Sequence, residues 1–146
     1  KKSNTKIILD PAPAKNLTPE FTQNLYMITP NETEASTLTG IKINDLLDVK
    51  KAATKLLGFG SQYVLITMGA DGVYLASQND EFEYIPSPKV TTVDSTAAGD
   101  CFNGAMAVGL SQGLSVSEAA KKACRAASIS VTRKGAQDSM PFINEL

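Results

Sequence analysis

The sequence predicts a three-layer α/β/α fold: a mostly parallel sheet with helices on both faces and one antiparallel hairpin in its middle. Three observations carry that prediction. Short apolar, β-branched runs recur along the chain, and each stops at a loop rich in Pro, Asn, Asp or Gly. Between them lie stretches whose apolar residues follow helical spacing. One pair of runs is separated only by Met68-Gly69-Ala70-Asp71-Gly72, whose Asp-Gly pair marks a hairpin-type turn.

Each element has its own signal. Lys6–Leu9 is a buried-strand run that ends at Asp10-Pro11-Ala12-Pro13, where two prolines forbid continuation. Leu25–Thr29 repeats the pattern before Pro30, and Asn31-Glu32-Thr33-Glu34 then looks like a helix start. From Asp45 to Leu57, the apolar residues Leu46, Val49, Ala53, Leu56 and Leu57 outline an amphipathic helix that ends at Gly58 and Gly60. Tyr63–Thr67 and Val73–Ala76 are the third and fourth strands, and weaker strand signals follow at Phe82–Ile85 and Lys89–Val93. Asp94–Asp100 leads into a helix of small residues over Cys101–Leu110. Ser115-Val116-Ser117-Glu118 has capping-box spacing and opens a second helix reaching about Thr132. The tail from Arg133 is polar and irregular, and one domain accounts for the whole chain.

Composition narrows the chemistry. The 146 residues are 42% hydrophobic and 20% charged, with a formal charge of -1, the profile of one globular domain with an ordinary apolar core. Fourteen basic against fifteen acidic residues give no broad positive field for nucleic acid or an anionic membrane. No apolar stretch approaches the ~18 residues that span a bilayer, and Lys1-Lys2-Ser3-Asn4 lacks the apolar segment of a secretory signal. The absence of His removes imidazole acid/base catalysis, His-ligated zinc and Ser-His-Asp or Cys-His nucleophiles, so carboxylates must carry any proton transfer. Cys101 and Cys124 form no CxxC pair, and a reducing cytoplasm suits them. The chain starts at Lys1 rather than Met, and is expected to be a piece of something longer.

Asp10, Asn31 with Glu34, Thr67 with Gly69, and Asp94 with Asp100 each lie just beyond a predicted strand. Open parallel sheets bind ligands outside the carboxyl ends of their strands, so parallel strands would bring the four clusters to one crevice. Thr96-Ala97-Ala98-Gly99-Asp100 before an apolar helix offers free N–H groups and the positive end of a helix dipole to a phosphate. Asp100 could then take the proton of an attacking hydroxyl; taken alone, it reads first as an acidic N-cap. Asn31 and Glu34 read as a capping box, as holders of water around Mg²⁺, or as both. No GxxxxGK[ST] loop is present.

Asp10-Pro11-Ala12-Pro13, Asn31-Glu32-Thr33-Glu34, Thr67–Gly72, Asp94–Ala105 and Val131-Thr132-Arg133-Lys134-Gly135-Ala136-Gln137 occur in the order and spacing of the ribokinase family, which the chain resembles over essentially its whole length. The D-x-T-A-A-G-D segment is similar to the signature of the wider sugar-kinase family, which includes fructokinases and adenosine kinases; the V-T-R-K-G-A-Q stretch points to ribokinases within it.

The resemblance implies transfer of the ATP γ-phosphate to the 5-hydroxyl of D-ribose, with Asp100 as catalytic base and the backbone of Ala97, Ala98 and Gly99 as an anion hole. It implies nucleotide contacts at Asn31, Thr67, Gly69, Gly72 and Gly99, with Cys124 beside the adenine. Glu34 would organise Mg²⁺ through water together with Asn31. Asp94, Thr96, Ser130, Arg133, Gly135 and Ser139 would form a K⁺ loop, Arg133 through its carbonyl. Ribokinases are much longer chains whose N-terminal half carries most sugar contacts and the lid strands, so residues 1–146 match the C-terminal, nucleotide-binding part, and the parent is expected to be a homodimer. Another sugar or nucleoside kinase, or a catalytically silent nucleotide-binding module, are the alternative readings.

Overall fold

A computed structural model describes residues 5–15 and 17–146; Lys1–Asn4, read above for a signal segment, lie outside the described residues. The described residues gather into two compact units, one reaching to Met68 and taking in Tyr74–Tyr84, the other formed by Gly69–Val73 and Ile85–Leu146.

The chain enters through β1 (Ile8–Leu9), a single turn α1 (Pro19–Thr22), β2 (Met27–Ile28), the helices α2 (Glu32–Thr39) and α3 (Leu46–Leu57), and β3 (Tyr63–Thr67). β1 pairs with β2 and β2 with β3, both parallel, with Ile8 opposite Met27 and Met27 opposite Tyr63. The sheet continues through β4 (Val73–Ser77) to β5 (Phe82–Ile85), in the order β1-β2-β3-β4-β5. A parallel crossover needs a dozen residues or more, far longer than the β3–β4 and β4–β5 links, so both of those pairs are antiparallel and the sheet is mixed. β1 and β2 are shorter than the apolar runs that predict them. The Ile7 carbonyl accepts from both Tyr26 N (3.0 Å) and Met27 N (3.1 Å), which breaks the regular ladder at that end.

Helix α3 starts at the N-cap Asp45, whose carboxylate accepts from Asp48 N at 2.9 Å. Its predicted face is buried at Val49, Ala53, Leu56 and Leu57, while Leu46 in the first turn stays half exposed. α2 and α3 pack on each other and on β3. The core they enclose joins Ile28, Val64 and Ile66 of the sheet to Ala35, Val49 and Leu56 of the helices. Each large aliphatic buried there contributes roughly 1.5–3 kcal/mol relative to exposure.

The second unit is built on α4 (Ala98–Ser111) and α5 (Val116–Ser130). The two helices approach closely at Gly109, where a Cβ would stand 3.0 Å from the Cβ of Ala119. Ser115 caps α5 in the expected box, with Ser115 N donating to Glu118 Oε2 at 2.9 Å and Glu118 N donating to Ser115 Oγ at 3.3 Å. Lys89–Val93 forms no strand. Pro86 and Pro88 remove two ladder donors just before it, and Val93 N instead donates to Val131 O at 2.7 Å. The tail is not wholly irregular: short 3₁₀ turns occupy Gln137–Ser139 and Ile143–Glu145, and the Arg133 guanidinium pairs with Glu145. No helix among the described residues is long and apolar enough to cross a membrane.

Candidate active site

Helix α4 begins three residues before the predicted Cys101, and this decides the standing of Asp100. The N-cap position belongs to Ala97, with φ 59° in the left-handed region and no side-chain cap bond, so Asp100 is not the N-cap but the third residue of the first turn. A non-glycine residue in that conformation costs on the order of 1 kcal/mol and persists only where its neighbours hold it. Ala98 N turns back to Ser95 O at 3.2 Å, and Cys101 N donates to Ala97 O at 2.9 Å. Between them, the N–H groups of Gly99 and Asp100 take no backbone acceptor among the described residues. Asp100 is exposed, and its carboxylate has no hydrogen bond or ion pair among the described residues. The first turn of α4 therefore offers free donors and the positive end of a helix dipole directly beside a free acid.

Two cavities of the second unit open on that turn. One, of about 190 Å³, is lined by Gly69, Lys89, Thr92, Ser95, Ala98 and Ser128 among others. The other, of about 460 Å³, is lined by Asp100, Gly104, Val108, Lys122, Met140 and Ile143 among others. Ala98 and Asp100, two residues apart, thus face different spaces.

The wall of the smaller cavity depends on Gly72. It is buried at φ +110°, and a Cβ there would lie 2.1 Å from Ile85 O and 2.7 Å from Ser87 N. Lys89 leans over the same turn, its Nζ 3.4 Å from Ala70 O and 3.7 Å from Asp71 Oδ1. Lys89 and Thr92 do not read as wall residues because 89–93 carries a strand signal, against which Pro86 and Pro88 argue; Ser128, in the last turn of α5, has no local signal in the sequence. Cys124, expected beside a base, is buried, and burial pushes its thiol up to about 11. Ser128, one turn further along α5, is the residue that reaches the cavity.

In the first unit, Asn31 and Thr67 meet in a parallel bridge, and Thr67 N donates to Pro30 O at 2.9 Å. Asn31 Oδ1 accepts from Glu34 N at 2.9 Å while Asn31 N donates to Glu34 Oε2 at 2.8 Å, the reciprocal capping box of α2. No group of three or more Asp, Glu, Cys or His side chains among the described residues could hold a metal. Asn31 and Glu34 together supply one carboxylate and one amide oxygen, a donor set that suits Mg²⁺ bound through its waters.

The residues that the resemblance assigns to K⁺ all lie in the second unit. Asp94 accepts from Thr96 N and from Gly135 N, each at 2.9 Å. A hydrogen bond from the Thr96 hydroxyl, then these two backbone bonds and the nearby charge of Lys134, hold its carboxyl at about 2. Ser130 and Ser139 are buried, and the Arg133 guanidinium is turned to Glu145, so the set offers hard oxygens and no cationic head group. That donor chemistry fits an alkali cation.

The chain is similar to known proteins in both sequence and fold. The model of the pfkB family of carbohydrate kinases covers residues 1–143. A ribokinase from Haemophilus influenzae is 43% identical over 145 residues, 99% of this chain and 47% of that protein. A crystal structure of ribokinase from Thermotoga maritima superposes with a TM-score of 0.89 at 45% identity, covering 99% of this chain and 48% of that one. Arabidopsis thaliana ribokinase, solved in complex with ribose and ATP, superposes with a TM-score of 0.90 at 33% identity, covering 96% of this chain and 46% of that one. The chain spans about half the length of the curated relatives it matches. With a ribokinase-like fold and an A-A-G-D turn that opens α4 beside a free acid, the chain belongs to the pfkB family of carbohydrate kinases.

Proposed function

We propose that the whole protein transfers the γ-phosphoryl group of ATP to the 5-hydroxyl of D-ribose, and that residues 1–146 are the C-terminal, nucleotide-binding part of its ribokinase-like domain. One observation carries the reading: in the first turn of α4, free N–H donors adjoin a free Asp100 carboxylate, and Ala98 and Asp100 line different cavities. A phosphoryl donor on one side and an acceptor hydroxyl on the other would meet across that turn.

In this reading Asp100 accepts the proton of the ribose 5-hydroxyl as that oxygen bonds to the γ-phosphorus. The bond from the γ-phosphorus to its bridging oxygen breaks, and ADP leaves with the electron pair. The free N–H groups of Gly99 and Asp100, presented by the backbone turn of Ala97 and Ala98, form the hole that stabilises charge gathering on the transferred group; Ala98 N is itself held by Ser95 O. Gly69 lets backbone approach the nucleotide, Gly72 acts behind it by letting the Ile85–Ser87 backbone close on the turn, Thr67 lies at the end of the strand leading to that turn, and Cys124 backs the α5 face that carries Ser128. Bound Mg²⁺ neutralises phosphate charge and bound K⁺ supplies a fixed positive charge; Asn31 with Glu34, and the Asp94–Ser139 set, are the residues that would hold them. Two free, buried cysteines suit a reducing cytoplasm.

A coupled ADP-release assay on the whole protein tests this, with ribose, fructose and adenosine as acceptors. The expected result is the highest kcat/KM for ribose. A preference for fructose or adenosine would move the assignment to a sister activity, and no transfer to any acceptor would remove the kinase reading.

A further inference from the structure

The strained start of α4 raises the question of what holds it. Ala97 keeps φ 59° without a side-chain cap, and such a conformation survives only where the surroundings over-determine it. The restraint is visible three residues upstream. Asp94 Oδ1 accepts from Thr96 N at 2.9 Å, which closes the turn that delivers Ala97. Its other oxygen, Oδ2, accepts from Gly135 N at 2.9 Å, a residue 41 positions away in the segment after α5. Val93 N and Asp94 N both donate to Val131 O, at 2.7 and 3.2 Å, so backbone and side chain fasten the same two segments together. Both oxygens of one carboxylate are thus engaged by backbone donors that belong to different segments.

We propose, resting on the phosphoryl-transfer reading above, that Asp94 is a positioning residue: its carboxylate clasps the 94–97 turn to the 131–135 segment and so keeps the N–H groups of Gly99 and Asp100 aimed where charge develops on the transferred phosphoryl group. The clasp acts through the backbone and is distinct from any service as a cation ligand. An amide in place of the carboxylate keeps the size but only one acceptor oxygen, so one of the two segments is released. Donors used in the transition state rather than for ground-state binding should affect turnover and not nucleotide affinity.

The test uses Asp94→Asn in the whole protein. Amide exchange on the wild type comes first: the Thr96 and Gly135 amides, at a largely exposed loop and turn, are expected to be protected, and exchange as fast as an open loop would overturn the proposal with no variant needed. In Asp94→Asn at least one of the two amides should lose protection. Its kcat should fall on the order of 10²-fold, with KM for ATP within about twofold of wild type. The drop must persist at saturating K⁺; if added K⁺ restores kcat fully, Asp94 acts only as a cation ligand and the clasp is wrong. Should the wild-type protein transfer no phosphoryl group to any acceptor, the functional reading fails by itself, and protection of the two amides alone decides the clasp.

Discussion

The α-carbon of Gly72 faces the carbonyl oxygen of Ile85 so closely that a Cβ there would stand 2.1 Å from that oxygen, with Pro86 C and Ser87 N also within 2.9 Å. All three neighbours are backbone atoms and cannot turn aside. Gly72→Ala is therefore expected to lose about 2–4 kcal/mol and to weaken nucleotide binding by displacing the segment that walls the smaller cavity. Gly69, at φ +52° in open space, bears only the conformational cost, so Gly69→Ala should lose about 1 kcal/mol. Denaturant unfolding of the two variants checks this; equal losses would show that the close approach does not matter.

Asp100→Asn in the whole protein should lower kcat by about 10²–10⁴-fold, the range for losing a positioned general base, and leave ATP affinity nearly unchanged. Steady-state kinetics with a separate ATP titration checks it. Unchanged turnover would favour a catalytically silent nucleotide-binding module.

The capping boxes of α2 and α5 separate structural from chemical roles. Asn31→Ala and Ser115→Ala each remove one cap and should each cost about 1 kcal/mol of stability. Only Asn31→Ala should also raise the Mg²⁺ concentration needed for half-maximal activity, because Asn31 and Glu34 are the proposed holders of the ion's waters. A matching Mg²⁺ shift in Ser115→Ala would mean that lost stability, not lost ligation, is being read.

Burial raises the Cys124 thiol from an ordinary 9.0 to about 11. The fold thus favours the neutral thiol. The associated stability is complete below pH 9, where folded and unfolded chains are both protonated, and is lost as pH rises through about 11. A thiolate-selective reagent at pH 8 should label Cys124 only as fast as the protein unfolds, and the urea midpoint should fall between pH 9 and 11. Rapid labelling under native conditions would contradict the buried position.

The 146-residue chain by itself is expected to self-associate. Val108 is 44% exposed, Phe142 76% and Ile143 63%, and Val108 and Ile143 also line the cavity of about 460 Å³. Apolar surface of this kind on one unit invites a second copy. Sedimentation should show oligomers that Phe142→Ser and Ile143→Ser together reduce; a monomer at all concentrations would rule this out.

The elements were legible where one local rule operated. Asp45 before a helical run, Ser115 three residues before Glu118, and Asp71-Gly72 between two apolar runs each act within a few bonds of the chain, and each forms the element it announces. Lys89–Val93 carries a weak strand signal in its Val and Thr residues, but Pro86 and Pro88 remove donors just before it and no strand forms. α4 starts three residues before the position the sequence suggests, because its N-cap is Ala97 in a left-handed conformation with no side-chain cap bond, and an alanine there is no start signal.

The family, the mixed sheet and the identity of the candidate acid were determined by the sequence alone, since periodicity, turn chemistry and a short signature are properties of adjacent residues. What only the tertiary structure decided is who meets whom across long separations. Asp94 reaches Gly135, Gly72 lies under Ile85, and Ser128 rather than Cys124 lines the smaller cavity. The physical reason is that hydrogen bonds and close packing depend on distances of a few tenths of an ångström, which are set by how whole helices and strands seat against one another.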